Sequence, residues 1–300
     1  MDAKFETRVN DSRKGISVSE RCPRGLSMVL VGALLLSSCI PEPLDVENLE
    51  FPKTRIVVSS LMLPGNSVAV LLTRSIGALE ANKESDPRKL ISEIAINDAE
   101  VTISFDNSVY PLKLLQDGVY QAIGIPLVIG KQCHLKVVSS SLGEVSATTE
   151  VQAPIYFDTV KAEPYVNEYQ DHWAQVTYTI KDPPTPNYYL LNVQEARRKD
   201  LVENILKPDA YTRQVEDKTF NDQEFSEMFR AMNKNFYPGD SIEVSLSNVS
   251  LDYFNYVKLR LENQLDLVEV FSEPIYYPTN VRGGRGFFTL HLTDVRVIVL

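Results

Sequence analysis

Cysteine is scarce in this chain, with Cys22, Cys39 and Cys133 the three among 300 residues. Histidine is as rare, at His134, His172 and His291, and there is one tryptophan. Each scarcity excludes something. The three histidines lie far apart and none stands in a metal-ligand spacing such as H-E-x-x-H. There is no G-x-S-x-G elbow, no phosphate-binding P-loop and no dinucleotide fingerprint. No apolar run approaches the ~20 residues that span a bilayer as a helix. Basic residues are outnumbered, 30 Lys and Arg against 40 Asp and Glu, for a net charge of −10. That balance argues against nucleic acid and against an anionic membrane surface as partners, since both need a basic patch.

What is present begins with residues 28–39, MVLVGALLLSSC. The nine-residue apolar run is too short for a spanning helix and has the length of a signal-peptide h-region, with Arg21 and Arg24 as its positive flank. The residues that end it, Leu36-Ser37-Ser38-Cys39, resemble the bacterial lipobox, in which the cysteine is diacylated and becomes the new N-terminus. Only a nucleophilic sulfur can form that thioether. Cys39 is therefore the expected lipidation site, the first 38 residues a signal peptide, and residues 39–52 a lipidated tether. Each buried CH₂ of acyl chain contributes roughly 0.8 kcal/mol, so several chains on one cysteine hold a domain to the membrane durably.

Removing residues 1–38 leaves 24 basic and 36 acidic residues, a net charge of −12, which points to protein surfaces and to neutral or cationic ligands. Cys22 is lost with the signal and Cys39 is acylated, so Cys133 has no intramolecular partner and reads as a small buried hydrophobe. Residues 40–51, IPEPLDVENLEF, carry prolines and acids without periodicity and read as a solvated tether. Its acids are also compatible with a signal for export to the outer face of the outer membrane.

From residue 53 the pattern becomes β. Residues 54–61 and 67–73 form a hairpin about the turn residues 64–66, and residues 76–90 a polar surface loop. Residues 100–105 alternate with Val101, Ile103 and Phe105 on one face. Further strands follow at 109–115, from 118, at 134–140 and at 145–151. About seven short strands closed by Pro154 predict an immunoglobulin-like or transthyretin-like β-sandwich over residues 53–153. A second, larger β-rich domain with one or two helices is expected over residues 155–300. Its clearest strand is 173–181, WAQVTYTIK, followed by strands at 187–194, 241–246, 287–292 and 295–300. Residues 196–220 read as a surface excursion. Residues 222–235 read as a helix, because Phe225, Met228, Phe229 and Met232 fall at i, i+3, i+4 and i+7. Residues 251–264 read as a second helix, long and without a breaker.

Several motifs together resemble those of the domain-of-unknown-function family 4249, outer-membrane lipoproteins of Bacteroidota. They are Asn97-Asp98-Ala99-Glu100-Val101, Gly118-Val119-Tyr120, Pro238-Gly239-Asp240-Ser241-Ile242, Val249-Ser250 with Tyr253-Phe254-Asn255-Tyr256, and residues 278–288, PTNVRGGRGFF. The chain departs from the family's small, aliphatic tail at Arg285 and residues 287–291. The resemblance implies a mainly β protein of two β-sandwich domains on an outer-membrane lipid anchor. It further implies an accessory or ligand-capturing role beside a TonB-dependent receptor in nutrient uptake, and it establishes no activity.

Among candidate contact residues, Tyr276 and Tyr277 bring apolar area at small entropic cost, or else pack on the neighbouring sheet. Gly283-Gly284-Arg285-Gly286 either cradles an anion with Arg282 and Arg285, or makes a tight turn through positive φ. Asp158, Asp171, Asp182 and Glu195 either hold calcium or a sugar hydroxyl, or are solvated loop acids. No cofactor and no catalytic residue is expected. Two other readings remain open, a carbohydrate-active enzyme and a structural or adhesive surface protein. The enzyme would need two carboxylates facing one cleft.

Overall fold

The structure is a computed structural model that describes residues 53–63, 66–76, 87–196, 211–264 and 277–300. Cys39, Tyr276 and the turn at Pro64-Gly65 lie outside the described residues. The protein is mainly β, as the alternating patterns predict, and residues 52–300 form one compact unit.

Strand β1 (Ile56–Leu63) pairs antiparallel with β2 (Ser67–Arg74) in the expected hairpin. Seven residues of β2 are buried, so the strand reads as a continuous apolar run. Val68, Val70 and Leu72 enter the first core, and Ala69 and Leu71 pack with Val119 on the other face. Each buried Val or Leu stabilises the fold by about 1.5–3 kcal/mol. The last four residues of the loop expected over residues 76–90 are helical, since α1 spans Pro87–Ile94. Its Ile91, the residue after the expected loop, is buried and anchors the helix.

Strands β3 (Ala99–Phe105), β4 (Ser108–Gln116), β5 (Val119–Ala122), β6 (Gln132–Ser139) and β7 (Gly143–Gln152) complete the first run. β6 alternates exposed and buried at every residue, and Cys133 is one of its buried positions, as expected of an unpaired thiol. Burial pushes that thiol up to about 11, which keeps it protonated.

Strands β8 (Phe157–Val166), β9 (His172–Lys181) and β12 (Glu224–Ala231) form a three-stranded sheet with β9 central. The second sheet runs β11 (Tyr211–Glu216), β10 (Tyr188–Glu195), β13 (Ser241–Asn248) and β17 (Thr293–Val299). Between them lies a second core rich in aromatic rings, including Tyr178, Tyr189, Phe220, Phe229 and Phe236.

β12 replaces the helix expected over residues 222–235. It pairs with β9 from Glu224↔Lys181 to Ala231↔Ala174. A spacing of i, i+4 is common to both periods, so Phe225 and Phe229 share a face in either conformation. In the strand they pack into the core, while Met228 and Met232 are about half exposed. The helix over residues 251–264 is observed as α2 (Leu251–Gln264).

Three short strands then return to the first sheet. β14 (Val281–Arg282) pairs antiparallel with β7, β15 (Arg285–Phe287) pairs parallel with β1, and β16 (Leu290–His291) pairs parallel with β7. The ten-stranded sheet thus ends on two strands that are consecutive in the chain, β14 and β15, and wraps barrel-like around its core. Val281, Phe288 and Leu290 belong to that core. Where two sandwiches separated near residue 154 are expected, the structure has two cores within one compact unit, because this late strap supplies strands to the first sheet.

Candidate functional site

The strap is built for close approach. A Cβ on Gly286 would lie 2.0 Å from the Val58 carbonyl oxygen, and one on Gly284 2.6 Å from that of Ile56. Gly283 and Gly286 also have φ of +79° and +91°, a region open to glycine. The glycine run is therefore accounted for by turn geometry and by contact with β1.

Polar side chains fix the strap further. The Asn280 amide accepts from the Phe288 N–H at 2.9 Å and donates to the Phe288 carbonyl at 2.7 Å. Thr279 Oγ1 donates to the Gly286 carbonyl at 2.7 Å. From β1, Ser60 Oγ accepts from the Thr289 N–H at 2.8 Å and donates to its carbonyl at 2.9 Å.

Helix α2 begins after Ser250, whose Oγ accepts from the Tyr253 N–H at 3.4 Å, with Asp252 in the first turn where the helix dipole favours an acid. Phe254 seats the helix on β10, buried with Leu190 and Val249. Tyr253, Tyr256 and Arg260, at i, i+3 and i+7, then form one stripe. This stripe meets the strap. Phe287 lies 5.3 Å from both Tyr253 and Tyr256, His291 lies 5.8 Å from Tyr253, and Tyr277 makes an edge contact with Tyr256 at 6.2 Å.

Beside these rings is a cleft of about 480 Å³, lined by Val57, Tyr256, Arg260, Tyr277, Pro278, Arg285 and Gly286. The Arg260 guanidinium lies 5.7 Å from the Tyr256 ring centroid. No lining residue among the described residues is acidic. Behind the lining, burial raises the Tyr253 phenol to about 12 and lowers His291 to about 4, so both are neutral near pH 7 although each keeps a partly exposed edge. Among the described lining residues Arg260 and Arg285 carry formal charge.

Of the residues singled out beforehand, Tyr277 and Arg285 are brought together here. Arg282 is exposed on β14 and does not line the cleft. Tyr256 and Arg260 were not anticipated as site residues, and their signal was the i, i+4 spacing in a helix whose other face carries Phe254.

The loop acids do not converge. Asp171 accepts from Asn167 Nδ2 at 2.9 Å, Glu195 pairs with Lys234 at 2.5 Å, and Asp158 is exposed on β8. Asp182 is buried and accepts from the Tyr189 hydroxyl and from the Asp222 N–H at 3.0 Å, tying two loops together. No group of three metal-ligating side chains occurs among the described residues. The histidines are likewise separate: His134 Nδ1 is 2.8 Å from Thr148 Oγ1, and His172 lies against Tyr237 at 4.6 Å. No helix among the described residues is long and apolar enough to cross a membrane.

A family model described as a domain of unknown function (DUF4249) matches residues 41–295, nearly all of the chain beyond Cys39. None of the curated proteins matches it.

Proposed function

As this chain belongs to the DUF4249 family, we propose that it is a lipid-anchored accessory protein of the outer membrane that captures a ligand beside a TonB-dependent receptor. The anchor is Cys39, acylated after removal of residues 1–38, and residues 40–52 tether the folded unit. The single observation that carries the ligand-capturing part is the cleft between α2 and the strap. Its lining of phenol rings, guanidinium groups and apolar residues suits non-covalent recognition. Glycoside hydrolysis would instead use a pair of carboxylates, so the binding reading is preferred to the enzymatic one.

Two experiments test the reading. Cys39→Ala should leave the membrane fraction and lose incorporation of a fatty-acid probe; continued labelling of that variant would sink the anchor. Affinity purification of the lipidated protein in mild detergent should recover an outer-membrane receptor, less of it from Tyr277→Ala. Recovery of no receptor from the wild type would sink the accessory role.

A further inference from the structure

We infer that β17 pairs with the same strand of a second copy of this chain, antiparallel about Val297, so that the four-stranded sheet continues across a two-fold axis. This is independent of the cleft and of any receptor.

The edge is the first support. β17 is an outer strand of its sheet and, among the described strands, pairs with β13 alone. Leu300 donates to the Asp240 carbonyl at 2.9 Å and accepts from the Gly239 N–H at 2.6 Å, so its backbone groups point toward β13. Alternation along the strand directs those of Val295, Val297 and Val299 outward. The side chains of the same three valines are 48%, 63% and 65% exposed. They stand on the face opposite Ile298, which packs against the second core. An exposed apolar row on an unpaired edge is a template for another strand.

The other outer strands of these two sheets are protected. β8 carries Lys161, Glu163 and Pro164 at exposed positions, and β11 and β12 are bridged by Arg213 and Glu227 at 2.5 Å. On β17 the charges, Asp294 and Arg296, lie away from the valine face and pair with each other at 3.0 Å.

Self-complementarity selects the occupant. With Val297 on the axis, Val295 meets Val299 of the second copy, and each outward N–H meets an outward carbonyl. The exposed side-chain pairs are then valine against valine. Arg296 falls opposite Ile298 of the second copy, so no like charges meet across the new ladder although each chain is acidic overall. A ladder this short makes a small interface and a weak dimer in solution, which anchoring of both copies in one membrane strengthens by raising their local concentration.

The test is disulfide trapping in membranes that hold the lipidated protein. On oxidation with copper phenanthroline, Val297→Cys should give a linked dimer, because the axis sets that residue against itself. Val295→Cys should give severalfold less, because its counterpart is Val299. Cys133 is buried and does not compete. In sedimentation of the full chain carrying Cys39→Ala, Val297→Lys and Val297→Glu should each weaken association about tenfold with an unchanged circular-dichroism spectrum, and mixing the two should restore it. Absence of the Val297→Cys dimer, equal trapping at both positions, or a Val297→Lys chain that associates like the wild type would overturn the proposal. A wild type that stays monomeric while Val297→Lys loses a co-purified protein would also overturn it, and would assign the edge to an extended segment of that protein.

Discussion

Residues 97–120 and residues 277–291 both contain motifs that resemble the family, and both lock one strand to another through side chains bonded to backbone. In the first region every such group is consumed by the fold. Asn97 Oδ1 accepts from the Gly118 N–H at 2.7 Å, and the Tyr120 hydroxyl donates to the Ile96 carbonyl at 3.0 Å while accepting from the Ala99 N–H at 3.1 Å. Asp98 accepts from Ser139, from Ser140 and from the Ser141 N–H, which draws its carboxyl down to about 2. Gly118 completes the lock, because a Cβ there would lie 2.3 Å from the Leu72 carbonyl. In the second region Asn280, Thr279 and the glycines do the same work, but Tyr277 and Arg285 line the cleft. Motif residues therefore divide into those that hold the chain and those that the fold presents.

That division can be broken by substitution, and the largest effect is expected at Gly286. Gly286→Ala forces a Cβ onto the Val58 carbonyl at a positive φ and should cost about 3 kcal/mol or more in a urea unfolding curve. A loss under 1 kcal/mol would show that the strap is not clamped to β1. Asn280→Ala removes the two-sided grip on Phe288 and should cost about 2–3 kcal/mol, read in the same way.

Protonation offers a milder perturbation. The pKa of His291 is lower in the folded chain than its ordinary 6.5, because burial penalises the imidazolium. Its stabilising contribution is whole above pH 6.5 and is lost as pH falls toward about 4. Asp182, raised by burial, acts in the opposite direction as it becomes protonated. The unfolding midpoint of His291→Gln should consequently fall less between pH 6.5 and 4 than that of the wild type. Parallel curves would remove His291 from the wall behind the cleft. Asp98 has the depressed pKa, so its contribution persists down to about pH 4 and is lost as pH falls through about 2. Asp98→Ala should cost about 1 kcal/mol at pH 7, modest because the carboxylate is exposed. The smallest effect is expected from Arg282→Gln, within about 0.5 kcal/mol in the same unfolding curve. A loss above about 1 kcal/mol would show that this exposed side chain holds β14 in place.

Much of the fold was legible where burial alternates along one strand. β6 and β9 show the period in residue types alone, and α2 could be placed because no breaker interrupts it. β12 was misread because Phe225 and Phe229 fit both periods, and the choice rested on two methionines that tolerate solvent. The return of residues 278–291 to β1 and β7 was not legible, since no local pattern encodes which distant strand a two- or three-residue segment joins. At the site, Tyr277 and Arg285 stood out through ring chemistry and the neighbouring glycines. Tyr256 and Arg260 did not, because a tyrosine and an arginine one turn apart look like any solvated helix face until the strap is seen against them.

Affinity purification of the lipidated wild-type protein in mild detergent tests the central claim most directly. The account predicts an outer-membrane receptor in the wild-type eluate and less of it from Tyr277→Ala. A wild-type eluate without a receptor would contradict it.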